Sequence, residues 1–458
     1  MTPLQLVDPY DYCIIGGGVM GCAIGKTLLE QHPDASIVIV EKNTAAGQGN
    51  TIRSNAAYRN IFDTELNIQL AASSIKYYHD MEEQGEDFGR RQIGYLFLLT
   101  AEQYEQYNTA KLDYSDEVIS FFEFLDCHDI AYEIYTQDQL QVMFPELVLE
   151  PSSDVANLIG AKPITYGFLG KQCGNFSPDL VVQHYLRHYL NAGGEIRYQT
   201  RVESLKLGNP AAAFDPDYIP KVWEEMEIKA IEVSHQGNTS FIRAEQFIVA
   251  TGAWINELLD PLGIQSLVKA KKRQLFTVEQ VGDFISNHQF PNDHSIFPFV
   301  ILPTGGVFLK PKGEAKSVVI GTSDVIGRRF EPTYPLNQST FSNLDNPQAE
   351  SDFYLYNILP VLQSYFPSVF DEYTQFKGTA GFYAYSVDKY PVIDRALSNL
   401  VMVSGASGSG IMKADSIARI AVALVLQEQY AQLYNGFEIE VSRFGIKHRD
   451  LPDETLVL

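Results

Sequence analysis

The sequence predicts an α/β fold in two parts, a βαβ domain with a parallel sheet and a second domain on a mixed or antiparallel sheet. Three features predict it. Residues 11–15 form a short apolar strand entering the turn Gly16-x-Gly18-x-x-Gly21, helical spacing runs from 18 to 30, and "SIVIVEK" reads as the next strand. Far down the chain, residues 247–250 and "LVMVSG" are apolar runs that each pass through glycine into the start of a helix. Between them, "QIGYLFLL" (92–99) and "KAKKRQLFTVE" carry alternating apolar residues, the pattern of a sheet with one covered face.

Each part of the first unit has a chemical use. Gly16 permits the tight turn, Gly18 lets a pyrophosphate approach the backbone, and Gly21 lets helix and strand pack closely. The helix start offers free N–H groups and the positive end of its dipole to an anion. Glu41 closes the second strand twenty residues beyond Gly21, the spacing of an acid that accepts from a ribose hydroxyl. A dinucleotide is expected, and both NAD and FAD satisfy these residues.

At 458 residues the chain exceeds one ordinary core, so two domains or one elaborated α/β unit is expected. Its 34 Lys and Arg against 57 Asp and Glu give a formal charge of −23. Such a surface repels phosphate backbones and anionic lipid, which argues against nucleic acid as a partner. Cys13, Cys22, Cys127 and Cys173 show no C-x-x-C spacing, and read as reduced thiols of a cytoplasmic protein rather than a disulfide or zinc framework. "MTPLQLVDPYDY" has no basic region ahead of an apolar stretch, so no signal or transit peptide is expected. No run reaches the roughly 18 apolar residues of a membrane span, and the best aliphatic run, 420–426, reads as part of a buried helix.

The stretch after Glu41 separates the two dinucleotides. "AAGQGNTIRSNAAYRN" is small, polar and rich in loop formers, as expected of a chain crossing a long cofactor; a nicotinamide dehydrogenase would place another βαβ unit there. Later come "ATGAW", "GFYAYSVDKYPVID" and "SGASGSGIMKA". Together with "GGGVMG" and Glu41-Lys42, in this order and over nearly the whole chain, they resemble the D-amino-acid oxidase and sarcosine oxidase superfamily of FAD enzymes. The resemblance implies a Rossmann-like FAD domain of the glutathione-reductase type, and it gives the second glycine loop a use. That loop opens a helix whose N-terminus faces the flavin ring and stabilises the negative charge of reduced flavin. Backbone contacts to the ring are implied from Gly408, Ser409, Gly410 and Ile411, a hydroxyl at the pyrophosphate from Ser54, and an adenine contact from the Val202 backbone. Val19, Met20, Lys42, Arg53, Asn55, Gly252, Trp254 and Lys413 complete the implied cofactor-binding set.

Some members of the superfamily attach FAD through a cysteine at the position of Gly381, so FAD is expected to be non-covalent here. The amino-acid oxidases grip the substrate carboxylate with an arginine where this chain has Tyr383. Sarcosine oxidases also have tyrosine there, paired with an arginine near the start and a lysine after the late loop. Arg59 stands one residue from the first of these positions, and Lys413 one beyond the second, which is held by Met412. Two roles are open for each: Arg59 on substrate or on phosphate, Lys413 on substrate or as a residue of the helix start. The lysine that promotes reaction with oxygen is matched by Val319, which leans the reading towards a dehydrogenase. Lys310 in "VFLKPK" is a candidate substitute, with a solvated strand lysine as the simpler expectation.

The expected division is an FAD domain from 1–90, 170–262 and 376–458 and a substrate domain from 91–169 and 263–375. The expected reaction is hydride transfer to flavin N5 from a carbon bearing nitrogen, in an amino acid or an N-methyl or secondary amine, with oxygen or another acceptor. Two alternatives share the scaffold: a 2-hydroxy-acid or polyol-phosphate dehydrogenase, and a non-enzymatic assembly or binding protein that keeps FAD structurally. The sequence is compatible with an oligomer. No metal site is expected. His184 and His188 stand at i, i+4 on a helix that starts at Ser177-Pro178, no third ligand is evident, and Glu82, Glu83, Glu86 and Asp87 read as a solvated helix end. Residues 208–227 interrupt two strands and read as a surface insertion.

Overall fold

A computed structural model of the chain describes residues 9–109, 112–114, 117–279, 281–286, 290, 296–312, 317–322, 344–447, 449–452 and 454. Residues 1–8 of the stretch "MTPLQLVDPYDY", in which no signal or transit peptide is expected, lie outside this set.

The βαβ unit forms as its pattern dictates: strand β1 (Tyr10–Ile15), helix α1 (Val19–Gln31) and strand β2 (Ile37–Val40). Two helices that matter below follow, α2 (Glu65–Glu83) and α3 (Pro178–Asn191). Further on come β3 (Ala244–Val249), β4 (Val268–Glu279), β5 (Val307–Lys312), β6 (Phe376–Ser386), β7 (Val392–Leu397), β8 (Leu400–Ser404) and helix α4 (Ala414–Val425).

The first sheet runs Glu195–Arg197, β2, β1, β3, β8, β7, parallel throughout except for the β7–β8 pair. Every residue of β2 and β8 is buried, as a sheet covered on both faces requires. Alternate side chains go opposite ways. Ile14, Ile39 and Ile248 join a core with α1, α3 and α4, whereas Cys13, Val38 and Phe247 pack with Leu205, Ile228 and Ile231 of a small antiparallel sheet. The insertion at 208–227 leaves that small sheet and is exposed, with Val222 and Trp223 open to solvent.

Among the described residues the second sheet has eight strands, in the order β6, β4, Ser317–Thr322, β5, Phe299–Ile301, Tyr95–Leu99, Tyr166–Gly170, Tyr132–Thr136. All its pairs are antiparallel apart from Phe299–Ile301 with Tyr95–Leu99, so it is mixed, as expected. Strand β6, where the FAD domain is expected to resume, pairs along its whole length with β4 of this second sheet. Tyr383 therefore approaches from the second sheet's side. The motif that follows is tied down from the C-terminal end: Arg449 grips Asp388 through two hydrogen bonds of 2.6 and 2.7 Å. Among the described residues no helix is long and apolar enough to cross a membrane.

Candidate cofactor and substrate site

The carboxyl ends of β1, β2, β3 and β8 open on one cavity of about 1080 Å³, the place where parallel α/β sheets bind ligands. Gly16, Gly18, Val19 and Met20 line it from one side, and Ser404, Gly405 and Ala406 of the late loop from the other. The glycines are sterically required. Gly16 has φ +108°, and a Cβ there would stand 2.8 Å from the Ala250 carbonyl oxygen. A Cβ on Gly21 would stand 1.9 Å from the Gly16 carbonyl oxygen, so Gly21 closes the turn without reaching the cavity. Buried Glu41 accepts from the Gly17 N–H at 2.7 Å and from the backbone and side-chain nitrogens of Asn43 at 2.8 and 2.7 Å.

Val202, Lys42, Gly252 and Trp254 line the far end. The β-ladder shifts register just after Val202. Lys42 Nζ lies 4.0 Å from the Trp254 ring centroid and pairs with Asp345, which also holds Arg201 at 2.9 Å. Burial pushes the Lys42 ammonium below its usual range. Two buried polar atoms on this wall, Thr251 Oγ1 and Trp254 Nε1, have no hydrogen-bond partner among the described residues. A glycine cradle at a helix start, a carboxylate at the ribose spacing and two orphaned polar atoms fit FAD.

A second cavity of about 690 Å³ lies beside the first, beyond the late loop. Ser54, Asn55, Arg59, Tyr383, Gly408, Ser409 and Lys413 line it. The loop bridges the cavities because it is pinned to β6: Ser407 N–H donates to the Ala384 carbonyl at 3.0 Å, and Ser386 N–H donates to Ser407 Oγ at 3.1 Å. Gly410 sits behind the lining, against the Met20 methyl group of the first loop, so the two glycine loops meet. Ile411 is buried, and its carbonyl accepts from Tyr78 Oη at 2.9 Å. Arg53 lines neither cavity; it points to the Asp345 carbonyl at 3.5 Å and packs beside Gly381.

Arg59 and Lys413 converge. They are 5% and 1% exposed, and both stand over Phe62, with the Arg59 Cζ 4.2 Å and the Lys413 Nζ 4.5 Å from its ring centroid. Arg59 donates to the Ile61 carbonyl, and Lys413 donates to Asn67 Oδ1 at 2.6 Å. The Asn67 amide then donates at 2.9 Å to Glu454, a carboxylate from the C-terminal end that also accepts from Thr64 Oγ1 at 2.8 Å. Burial lowers the Lys413 pKa, opposed by the Glu454 charge and reinforced by Arg59. Burial raises that of Glu454, helped by Asp63. The Tyr383 hydroxyl is likewise raised by desolvation.

Lys310 corrects an expectation. It is buried rather than solvated, its Nζ donates to the Asn55 carbonyl at 2.6 Å, and desolvation pushes its pKa down to about 8. It stands directly across the ladder from Val319, the position matched to the oxygen-promoting lysine. Glu454, Asn67, Phe62 and Lys389 line the second cavity without having been singled out in sequence. The helix-end acids are not simply solvated either: Glu82 pairs with Arg90, and Glu86 with His184 and His188.

The chain belongs to the FAD dependent oxidoreductase family, whose match spans residues 11–424. It is thus an FAD-dependent oxidoreductase, with FAD as its cofactor. It is similar to the FAD-dependent oxidoreductase domain-containing protein 1 of Xenopus laevis, at 22% identity over 92% of this chain and 80% of that one. The protein of the same name from Bos taurus is 21% identical over 95% of this chain and 84% of its own length. Among solved structures, L-proline dehydrogenase from P. horikoshii shares the fold with a TM-score of 0.70 at 19% identity, covering 96% of this chain and 97% of that one. Glycine oxidase from Geobacillus kaustophilus does so with a TM-score of 0.67 at 17% identity, over 97% and 100% of the two chains.

Proposed function

We propose that the protein oxidises a C–N bond of an amino acid or of an N-methyl or secondary amine. The observation that carries this reading is the second cavity, where a guanidinium, an ammonium and a phenol converge beside the late loop. FAD, held by the first cavity, supplies the hydride acceptor at N5. Arg59 and Lys413 hold the substrate carboxylate, and Tyr383 donates a hydrogen bond to it from Oη, where desolvation retains the proton. Phe62, Phe299 and Phe308 wall the chamber and exclude water, which strengthens each charged contact. Glu454 acts through Asn67, whose amide fixes the direction in which Lys413 points. The fold neighbours named for proline and glycine oxidation agree with an amino-acid substrate.

The cofactor is held without a covalent bond. Gly381 stands where an attachment cysteine would be, and Cys13, Cys22, Cys127 and Cys173 are free thiols that line neither cavity. The acceptor of the reduced flavin is oxygen or another oxidant, and Lys310, bonded to Asn55 of the second cavity, is the candidate residue for promoting the reaction with oxygen.

Paired variants test the reading. Arg59→Ala and Lys413→Met should keep FAD while raising the half-saturating amino-acid concentration at least about tenfold, since a charged donor lost from a buried site costs about 1.5–3 kcal/mol. Tyr383→Phe should raise it less. If Arg59→Ala sheds flavin and the remaining holoenzyme has normal substrate dependence, Arg59 serves the pyrophosphate instead.

A further inference from the structure

Away from both cavities, the turn after α2 meets the solvent edge of α3. Glu86 Oε2 lies 3.0 Å from His184 Nδ1, and Glu86 Oε1 lies 3.3 Å from His188 Nε2. The three ligand atoms fall within 4.8 Å of one another. Ligands at about 2.0–2.1 Å from a tetrahedral zinc ion stand roughly 3.3 Å apart, and each Glu86 oxygen stands near that distance from one of the two histidine nitrogens. The i, i+4 spacing on α3 puts the two rings on one face, with centroids 4.5 Å apart.

We propose that Glu86, His184 and His188 form a three-ligand site for a divalent transition-metal ion, with zinc the best match. Two imidazoles and a carboxylate without a thiolate suit zinc and its first-row neighbours better than magnesium or calcium, which take oxygen ligands. The outer partners are already in place. His184 is 2% exposed, and Tyr77 Oη lies 2.6 Å from its Nε2, fixing the ring so that Nδ1 faces Glu86. Arg187 donates to Glu86 Oε2, the oxygen that also faces His184, and leaves Oε1 on the His188 side. Metal binding requires one tautomer change: the His184 proton sits on Nε2, donated to Tyr77, and Nδ1 takes the ion. The side chains of His188 and Glu86 are 42% and 20% exposed, so the fourth position opens to water.

The ion would clamp α2 to α3. Next to Tyr77 on α2, Tyr78 bonds both Tyr185 of α3 and the Ile411 carbonyl of the late loop, so the clamp backs the flavin-side loop without touching it.

Chelator-treated holoprotein titrated with zinc chloride by calorimetry should bind one equivalent per chain at micromolar affinity or tighter. The apparent melting temperature should rise with it. His188→Ala and Glu86→Gln each remove a ligand and should weaken binding by at least the roughly tenfold to hundredfold that losing a ligand's hydrogen-bond partner costs, cancelling the thermal shift. His79→Ala should change neither, although His79, Asp80 and Glu83 form a second, exposed group nearby. Absence of saturable one-to-one binding would overturn the proposal. So would affinity retained in His188→Ala and Glu86→Gln, or lost in His79→Ala alone.

Discussion

Replacing Gly408 with alanine should drive Tyr383 out of the substrate chamber. Gly408 has φ +90°, and an added Cβ would stand 2.4 Å from Tyr383 Cε2, 2.9 Å from Cδ2 and 3.0 Å from Cζ. Carbon atoms in contact rest at about 3.5–4.0 Å, so the ring must move by roughly an ångström. Its neighbours include Arg273, whose Cζ lies 5.6 Å from the ring centroid, and the Tyr385 ring at 6.0 Å, and a displaced ring gives up this arrangement. Positive φ costs alanine about 1–2 kcal/mol, and overpacking adds about 1–3 kcal/mol. Gly408→Ala, Tyr383→Ala and the double variant, compared by urea unfolding at equal flavin saturation, separate the two contributions. Removing the ring should recover the overpacking share, a coupling of about 1–3 kcal/mol, and leave the backbone share in place. Gly408→Ala should also raise the half-saturating substrate concentration. Additive effects within about 0.5 kcal/mol, with unchanged substrate affinity, would refute the contact and its place in the chamber.

Three other outcomes are expected. Glu41→Ala should weaken FAD binding about ten- to a hundredfold, since each charge-assisted hydrogen bond is worth about 1.5–3 kcal/mol; equal FAD retention on dialysis would remove the acid from the ribose. Acid or heat should release all the flavin, so fluorescence remaining on the denatured chain after gel separation would reveal an attachment residue. Stability should fall as pH drops from about 6.5 towards 4: His184 is depressed to about 4, so the unfolded chain binds more protons in that window. The loss, up to about 3 kcal/mol, should flatten in His184→Asn; Glu86, held at about 2, adds its own loss only below its ordinary value near 4.5.

The parts of the site that were legible in sequence are those whose chemistry is local. Gly16, Gly18, Gly21 and Glu41 work through one turn and one strand spacing, and the sequence contains both. The late loop could be matched to the first only through a resemblance, because its partner lies almost 400 residues away and meets it through Met20 and Gly410. Glu454 carried no signal at all. An acid in a polar C-terminal stretch becomes a buried carboxylate only because the chain returns to Thr64 and Asn67. Lys310 was misread for a related reason. Strand alternation says which face a residue takes, not whether Asn55 waits on that face to accept from it. Glu86 looked like one acid among four, since its two histidines arrive from a helix about a hundred residues later.

Anaerobic reduction of the bound flavin tests the central claim most directly. Holoprotein should be mixed without oxygen with primary amino acids, N-methyl amino acids and, for contrast, 2-hydroxy acids and polyol phosphates. The account predicts that the oxidised flavin absorbance bleaches with at least one member of the amine panel, at a rate that saturates with its concentration and falls in Arg59→Ala that retains FAD. Bleaching by a hydroxy acid or polyol phosphate alone, or a flavin that resists every donor yet is reduced by dithionite, would contradict it.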